Sequence, residues 1–176
     1  MNVKDAVKKR RAYRNIEPVV IDDDIVHELI DAARLAPSCF NKQPWRFVFV
    51  RSEEKLQMMK QVYSDGNEWA HKGSAVVAVF ASKESDCVIR DREYYLFDTG
   101  IAVGQMLLRA TELGLVAHPI AGYSPDKVHK ILSIPDKFNI ITLLVIGKKT
   151  DAQDDESERP ERSGYSEICY NEQFNS

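Results

Sequence analysis

The sequence predicts an α+β fold, in which buried strands and helices follow one another along the chain. Its 176 residues are 44% hydrophobic and 29% charged, close to the globular average, so the chain is long enough to bury one core. Residues 75–81 are continuously apolar and rich in valine, and residues 139–146 are largely apolar and β-branched, which is typical of strands buried on both faces. The helical segments between the strands lack the regular rhythm of a doubly wound sheet, and no internal repeat is visible.

The N-terminal third predicts two helices separated by a basic turn. Residues 3–10 place three apolar side chains on one helical face, and the helix ends where an arginine-rich segment begins. Residues 22–35 form the second predicted helix, because acidic residues at its start suit the helix dipole and apolar residues follow at helical spacing. Pro37 ends this helix, and a polar loop bounded by Pro37 and Pro44 follows.

The middle of the chain alternates strands and helices. Residues 46–51 alternate in the manner of a strand, and residues 53–63 repeat apolar side chains at helical spacing. The valine-rich run 75–81 is expected at the centre of the sheet. Residues 94–113 form the longest predicted helix, which Gly114 ends, and it should be the core helix.

The last third predicts a strand, a helix, a strand and then a change of composition. Residues 115–121 predict a strand, and Ser124-Pro125 begins a helix that runs to Leu132. The strand at 139–146 closes at Gly147. Residues 151–158 are acidic and poor in apolar side chains, which indicates a linker or surface arm. Apolar residues return at the C-terminus, so this tail is expected to dock on another surface, such as a second subunit.

Charge and composition argue against several classes of protein. A net charge of −3 and a pI of about 5.8 disfavour a nucleic-acid-binding surface. The apolar runs are shorter than the roughly 18 residues that a membrane helix needs, and the N-terminal residues carry no secretory signal, so a cytoplasmic location is expected. The three cysteines are odd in number and widely spaced, which fits neither a disulfide framework nor a zinc site and indicates a reducing compartment.

Three arginines in five residues form the first candidate binding site. Arg10, Arg11 and Arg14 lie at a helix end, where guanidinium groups can converge on an oxyanion such as a phosphate. The alternative is a solvated basic patch, or ion pairs with the acidic residues 22–24. Spacing alone favours this alternative.

The loop between Pro37 and Pro44 is the second candidate. Its hydroxyl, amide and backbone groups could bind the edge of a flat heterocycle between the apolar walls of Phe40 and Trp45, although an irregular structural connection explains the loop equally well. No glycine-rich phosphate motif is present, which disfavours dinucleotide-binding and P-loop folds. The four histidines lack partners at metal-ligand spacing, so no metal site is predicted.

Taken in order, several motifs resemble the nitroreductase family over nearly the whole chain. They are Arg10-Arg11-Ala12-Tyr13-Arg14, Ala36-Pro37-Ser38-Cys39-Phe40-Asn41-Lys42-Gln43-Pro44-Trp45, Glu112-Leu113-Gly114-Leu115, Ile134-Pro135 before a strand that ends in Gly147, and Arg162-Ser163-Gly164-Tyr165-Ser166-Glu167-Ile168. Ala12 stands where the family usually has serine, and Pro160 and Gly164 depart from the usual pattern around the last arginine.

The resemblance implies a central mixed or antiparallel sheet flanked by helices, in one FMN-binding domain over residues 1–176. Residues 149–176 would form a linker and an arm that embraces the partner of a homodimer. Two FMN molecules would then lie at the subunit interface. The residues that match the family's flavin site fall into three sets. They are the phosphate and ring-edge arginines Arg10, Arg11, Arg14 and Arg162, the loop residues Pro37, Ser38, Asn41 and Gln43, and the backbone beside the redox edge at Ile120, Ala121 and Gly122.

The implied activity is that of an FMN-dependent oxidoreductase. NAD(P)H would supply a hydride that passes through flavin N5 to a planar acceptor such as a nitroaromatic compound or a quinone, and no side chain need act as an acid. The alternatives are a non-catalytic flavin-binding or storage protein, and another flavin reaction on the same fold, such as reductive dehalogenation or dehydrogenation.

Overall fold

In a computed structural model, which describes residues 1–150 and 160–174, helices flank a five-stranded sheet. The acidic stretch 151–158, predicted to be a linker, lies outside the described residues. Within the described ranges, no helix combines the length and the apolar character needed to cross a membrane. The helices are α1 (Val3–Lys9), α2 (Asp23–Arg34), α3 (Glu53–Met59), α4 (Tyr95–Glu112), α5 (Pro125–Leu132) and α6 (Tyr165–Ile168).

All pairings in the sheet are antiparallel, which confirms the α+β class and settles the sheet type. The order is β1-β7-β3-β2, and β6 pairs with β7 on the same side as β1. The long strand β7 therefore contacts three other strands. The strands are β1 (Ile16–Glu17), β2 (Trp45–Val50), β3 (Ala75–Ser82), β6 (Val116–Ile120) and β7 (Phe138–Lys149), with a separate hairpin of β4 (Val88–Ile89) and β5 (Arg92–Glu93).

Both faces of the sheet are covered, because alternate residues of β3 point to opposite sides. Val77 and Val79 pack with α2 and α4, whereas Val76 and Ala78 pack with Met59 at the end of α3 and with α5. Every residue of β3 is buried, as the sequence predicts for a central strand. The expected core helix α4 buries Ala102, Met106 and Ala110 against the first face.

Two features differ from the sequence expectations, and a third, a hairpin, was not among them. The segment 53–63 is not one α-helix, because α3 ends at Met59 and a 3-10 turn covers Lys60–Val62. The strand expected at 139–146 runs on to Lys149, and its last two residues pair with β1, a strand too short to produce a pattern. The segment after β3 forms the β4–β5 hairpin, which turns through Arg90 and Asp91 with positive φ angles.

Candidate functional site

The arginine segment, residues 10–14, is fixed by structure on both sides of it. Before it, the N–H of Arg10 donates to the carbonyl of Ala6 at the end of α1. After it, β1 pairs with the end of β7, so that Ile16 lies opposite Lys149 and is 1% exposed. In between, the carbonyl oxygen of Tyr13 lies 3.0 Å from Nδ1 of His118 on β6. The segment is therefore held against β6.

His118 connects the arginine segment to the body of the protein through a neutral imidazole. Burial lowers the pKa of His118 below its ordinary value of 6.5, and the nearby charges of Arg14 and Arg10 lower it further, against the opposing effect of the Tyr13 carbonyl. A carbonyl oxygen only accepts, so Nδ1 carries the proton and donates to Tyr13. The ring also packs on Trp69, with centroids 4.4 Å apart. Two arginines thus lie close to an uncharged histidine.

The last residue of β6 and the two residues after it, 120–122, are held by hydrogen bonds to their carbonyl groups. Thr142 Oγ1 donates to the Ile120 carbonyl at 2.9 Å, and the Gly122 carbonyl accepts from the Ser64 N–H at 3.0 Å and from Asn67 Nδ2 at 3.1 Å. A Cβ on Gly122 would lie 2.4 Å from Asn67 Nδ2, so glycine permits this close approach. Asn67, which the sequence expectations omitted, is thus brought to this backbone.

The proline-flanked loop, residues 37–44, has an energetically unfavourable backbone conformation at three positions. Phe40, Asn41 and Gln43 have φ angles of 47°, 55° and 47°, which are left-handed and are usually adopted by glycine, yet residues 38–43 contain no glycine. Conformations of this kind cost on the order of 1 kcal/mol each and persist where other contacts enforce them. Inside the loop, Ser38 Oγ accepts from the Gln43 N–H at 3.0 Å.

Asp98 ties this loop to the first turn of α4. Its side chain is 3% exposed, and Oδ2 accepts the Cys39 N–H at 2.9 Å. A buried carboxylate is costly unless it is hydrogen-bonded, and no ion pair joins Asp98 to another residue of the described ranges. The sequence expectations omitted Asp98, because one acidic residue in an apolar helix carries no local signal of a partner 59 positions away.

A disulfide joins Cys39 to Cys87 at the base of the β4–β5 hairpin, with the two Cα atoms 5.8 Å apart. The expectation that the cysteines form no disulfide was therefore wrong, because the odd count comes from Cys169 alone. Asp86 closes the base of the hairpin, where its Oδ1 accepts the N–H groups of Cys87 and Tyr94. The loop is thus attached to two separate elements, α4 and the hairpin.

A cavity of about 310 Å³ lies beside these attachments. Its wall combines the start of the loop with apolar and aromatic side chains from the hairpin and α4. The lining residues are Pro37, Ser38, Cys39, Ile89, Tyr94, Phe97, Asp98 and Ile101. Phe97 is 65% exposed, so the cavity is accessible from solvent.

One chain does not bring all the predicted site residues together. Arg10 and Arg14 lie near β6, which leads to residues 120–122, whereas the loop leads into β2 on the other side of β3 and β7. Three strand spacings separate β2 from β6, or roughly 14 Å. Arg162 borders an exposed surface depression formed by residues 161–164, 166 and 167, and no hydrogen bond within the described residues joins it to the arginine segment.

The sequence of the chain matches the Nitroreductase family over residues 7–68 and 66–148, which is most of its length. The chain belongs to the nitroreductase family. As a nitroreductase-family protein it is an oxidoreductase, in agreement with the resemblance that its motifs carry. Among its relatives is YdgI of Bacillus subtilis, named as a candidate NAD(P)H nitroreductase, which is 26% identical over 184 residues covering 84% of this chain and 88% of YdgI.

Solved structures of the family share the fold. A nitroreductase family protein from Clostridium difficile 630 superposes with a TM-score of 0.86 at 25% identity, covering 99% of this chain and all of the other. A structure from Exiguobacterium sibiricum in complex with FMN has a TM-score of 0.84 at 25% identity and covers 97% of both chains. The antiparallel sheet flanked by helices is therefore that of nitroreductases.

The donor groups of this chain suit FMN chemically. Guanidinium groups bind phosphate through charge-assisted hydrogen bonds, and Arg10 and Arg14 lie close enough to His118 on β6 for their charges to add to the effect of burial in lowering its pKa. At Gly122, the side-chain amide of Asn67 occupies the space that a Cβ would take, so the backbone after β6 is held in place by protein atoms. Within the described ranges, no group of three or more His, Cys, Asp or Glu side chains is arranged to hold a metal ion.

Proposed function

We propose that this nitroreductase binds FMN and uses NAD(P)H to reduce a planar acceptor such as a nitroaromatic compound or a quinone. The observation that carries the proposal is the attachment of the arginine segment to β6 through Tyr13 and His118, which sets Arg10 and Arg14 beside the strand that leads to Gly122. The relative solved with FMN and the relative named as a candidate NAD(P)H nitroreductase support it. When bound, the flavin supplies hydride transfer.

In this proposal, each set of residues has its own role. Arg10, Arg11 and Arg14 hold the flavin phosphate and ring edge, and the backbone of residues 120–122 lies beside the redox edge of the ring. The loop contacts the flavin from the partner subunit, which accounts for the roughly 14 Å between β2 and β6 within one chain. The loop residues concerned are Pro37, Ser38, Asn41 and Gln43.

The assembly proposed for this site is a homodimer, with residues 1–176 of each chain forming one FMN-binding domain. Residues 149–176 act as a linker and arm, and Arg162 reaches the flavin phosphate bound by the partner. In support, Tyr165, Ile168 and Phe174 of the tail are each at least 70% exposed, which is unfavourable for an arm that has no surface to contact.

Absorbance and anaerobic mixing test this function. Purified protein to which FMN is added should retain a yellow chromophore through gel filtration, and NADH or NADPH should bleach it without oxygen. If neither nucleotide bleaches the flavin, the protein is instead a flavin-storage protein. A protein that stays colourless after FMN is added would overturn the proposal that it binds FMN.

Arginine variants test the phosphate assignment. Arg10→Ala and Arg162→Ala should each weaken FMN binding by roughly tenfold or more, because each removes a charge-assisted contact worth about 1.5–3 kcal/mol. Arg34→Ala is the matched control, since Arg34 pairs with Asp31 on the exposed side of α2. FMN titration by fluorescence quenching measures the effect. Equal affinities in all three variants would remove the phosphate assignment.

A further inference from the structure

We propose that Cys39 and Cys87 form a reversible thiol–disulfide site, reduced by small dithiols, that locks the proline-flanked loop in its binding conformation. The part of this inference that concerns flavin binding rests on the function proposed above. The part that concerns the cysteines and the loop stands on the arrangement of this chain alone.

The proline-flanked loop needs contacts with the rest of the protein to keep its conformation. Phe40, Asn41 and Gln43 hold left-handed conformations without a glycine among residues 38–43. The ties to the body of the protein converge on Cys39, whose N–H donates to Asp98 and whose sulfur is bonded to Cys87. Breaking the disulfide leaves the Asp98 hydrogen bond as the remaining tie at Cys39, so the loop is loosened and the fold is kept.

A small reagent can reach the sulfur of Cys39 more easily than the sulfur of Cys87. Cys39 is half-buried and lines the cavity of about 310 Å³ beside the exposed Phe97. Cys87 is only 6% exposed, behind the base of the hairpin. A dithiol would therefore attack the sulfur of Cys39 through the cavity.

The exchange balances in two steps. A thiolate of the dithiol attacks Cys39 Sγ, the Cys39–Cys87 bond breaks, and the sulfur of Cys87 leaves and takes up a proton. The second thiol of the reagent then attacks the mixed disulfide and releases Cys39 as a thiol, while the reagent leaves as a cyclic disulfide. Two electrons pass from the dithiol to the protein. The two protons that the thiols of the reagent lose balance the two protons that Cys87 and Cys39 take up.

The conformation of the loop affects the binding of FMN. The loop carries Ser38 and Asn41, which are proposed to contact FMN, directly on either side of the tied residue and its neighbour Phe40. A loop that samples other conformations binds its ligand less tightly, because the competent conformation is populated for only a fraction of the time. The oxidised protein should therefore hold FMN more tightly than the reduced protein.

Thiol titration and proteolysis test the site itself, without reference to FMN. The unfolded oxidised protein should show one thiol, that of Cys169, and three after treatment with dithiothreitol. Trypsin should cleave after Lys42 severalfold faster once the thiols have been alkylated and the reagents removed. Cys87→Ser should show the fast cleavage without any reagent, and Cys169→Ser should behave as wild type. Three thiols in the untreated protein, purified without reductant in air, or equal cleavage rates, would overturn the inference.

FMN titration then separates the two proposals. Reduction of the wild type, or Cys87→Ser, should weaken FMN binding by roughly threefold to tenfold, while Cys169→Ser leaves it unchanged. FMN binding that ignores the redox state would refute the locking of the binding conformation, although the proposed function would stand. No FMN binding in the oxidised protein would refute the proposed function. The number of thiols and the rate of trypsin cleavage would still test whether the disulfide restrains the loop.

Discussion

At the scale of single residues, the site depends on side chains that fix the backbone as much as on side chains that could touch a ligand. His118 holds the Tyr13 carbonyl, Asp98 holds the Cys39 N–H, and Asn67 holds the Gly122 carbonyl. Each of these hydrogen bonds joins residues more than 50 positions apart. Such contacts leave no local pattern in a sequence, whereas an arginine cluster does.

The lowered pKa of His118 predicts a pH-dependent stability. The unfolded chain binds a proton at the ordinary value of 6.5, while the folded chain resists protonation because of burial and the neighbouring Arg14 and Arg10. The stability due to neutral His118 is therefore complete above pH 6.5 and is lost progressively as the pH falls from 6.5 towards the lower folded pKa. Urea denaturation of the flavin-free protein at about pH 7.5 and about pH 5.5 measures this loss.

The control for this prediction is His118→Gln, which keeps a donor towards Tyr13 but does not titrate. The variant should lose less stability than the wild type between the two pH values, because only the shared groups still titrate. An identical loss in both proteins would show that His118 does not contribute to the pH dependence.

At the scale of elements, the two-residue strand β1 positions the arginine segment. Gly147 on β7 allows β1 to lie close beside it. A Cβ on Gly147 would lie 3.1 Å from Ile16 Cδ1, 3.2 Å from Ile16 Cβ and 3.3 Å from the Glu17 carbonyl. Gly147→Ala should therefore displace β1, lower the free energy of unfolding by about 1–3 kcal/mol and weaken FMN retention. Urea denaturation and fluorescence titration measure the two effects.

Gly100→Ala is the matched control for this substitution. Gly100 lies on α4, and an added Cβ there would meet no atom of the chain within 4 Å. Its replacement in a helix should raise stability by about 0.5–1 kcal/mol. Loss of stability in Gly100→Ala, or unchanged stability in Gly147→Ala, would contradict the crowding argument.

The sequence predicted the longer elements well and the short ones poorly, for a physical reason. β3, α4 and α5 have enough residues for a hydrophobic period to appear, and their observed bounds lie within one residue of the expected ones. β1 and the hairpin strands have two residues each, which is too short for any period. The Cys39–Cys87 disulfide was missed because pairing depends on the fold, which brings together residues 48 positions apart.

At the scale of the whole molecule, exposed apolar side chains predict a dimer. Val3 on the body, and Ile168 and Phe174 on the tail, are each at least 70% exposed. Sedimentation should give a species of two 20.1 kDa chains. Ile168→Ser combined with Phe174→Ser should shift this species towards the monomer, because the tail loses the apolar surface that contacts the partner.

Val20→Ser is the control for the tail variant. Val20 is 78% exposed, but it lies in the connection before α2 rather than on the tail. This variant should sediment as the wild type does. Monomeric wild-type protein at micromolar concentration would refute the dimer, and an unchanged tail variant would refute the role of the arm.

The position of β7 in the sheet also has a consequence for biosynthesis. Because β1, β3 and β6 all pair with this strand, most of the sheet waits until residue 149 has left the ribosome. At roughly 5–20 residues per second, β3, which is apolar except for Ser82, is translated several seconds before its longest partner. During that interval the apolar strand β3 is exposed in the nascent chain, and only β2 is available to pair with one of its edges. The nascent chain should therefore be most prone to aggregation, and most in need of chaperones, during this interval.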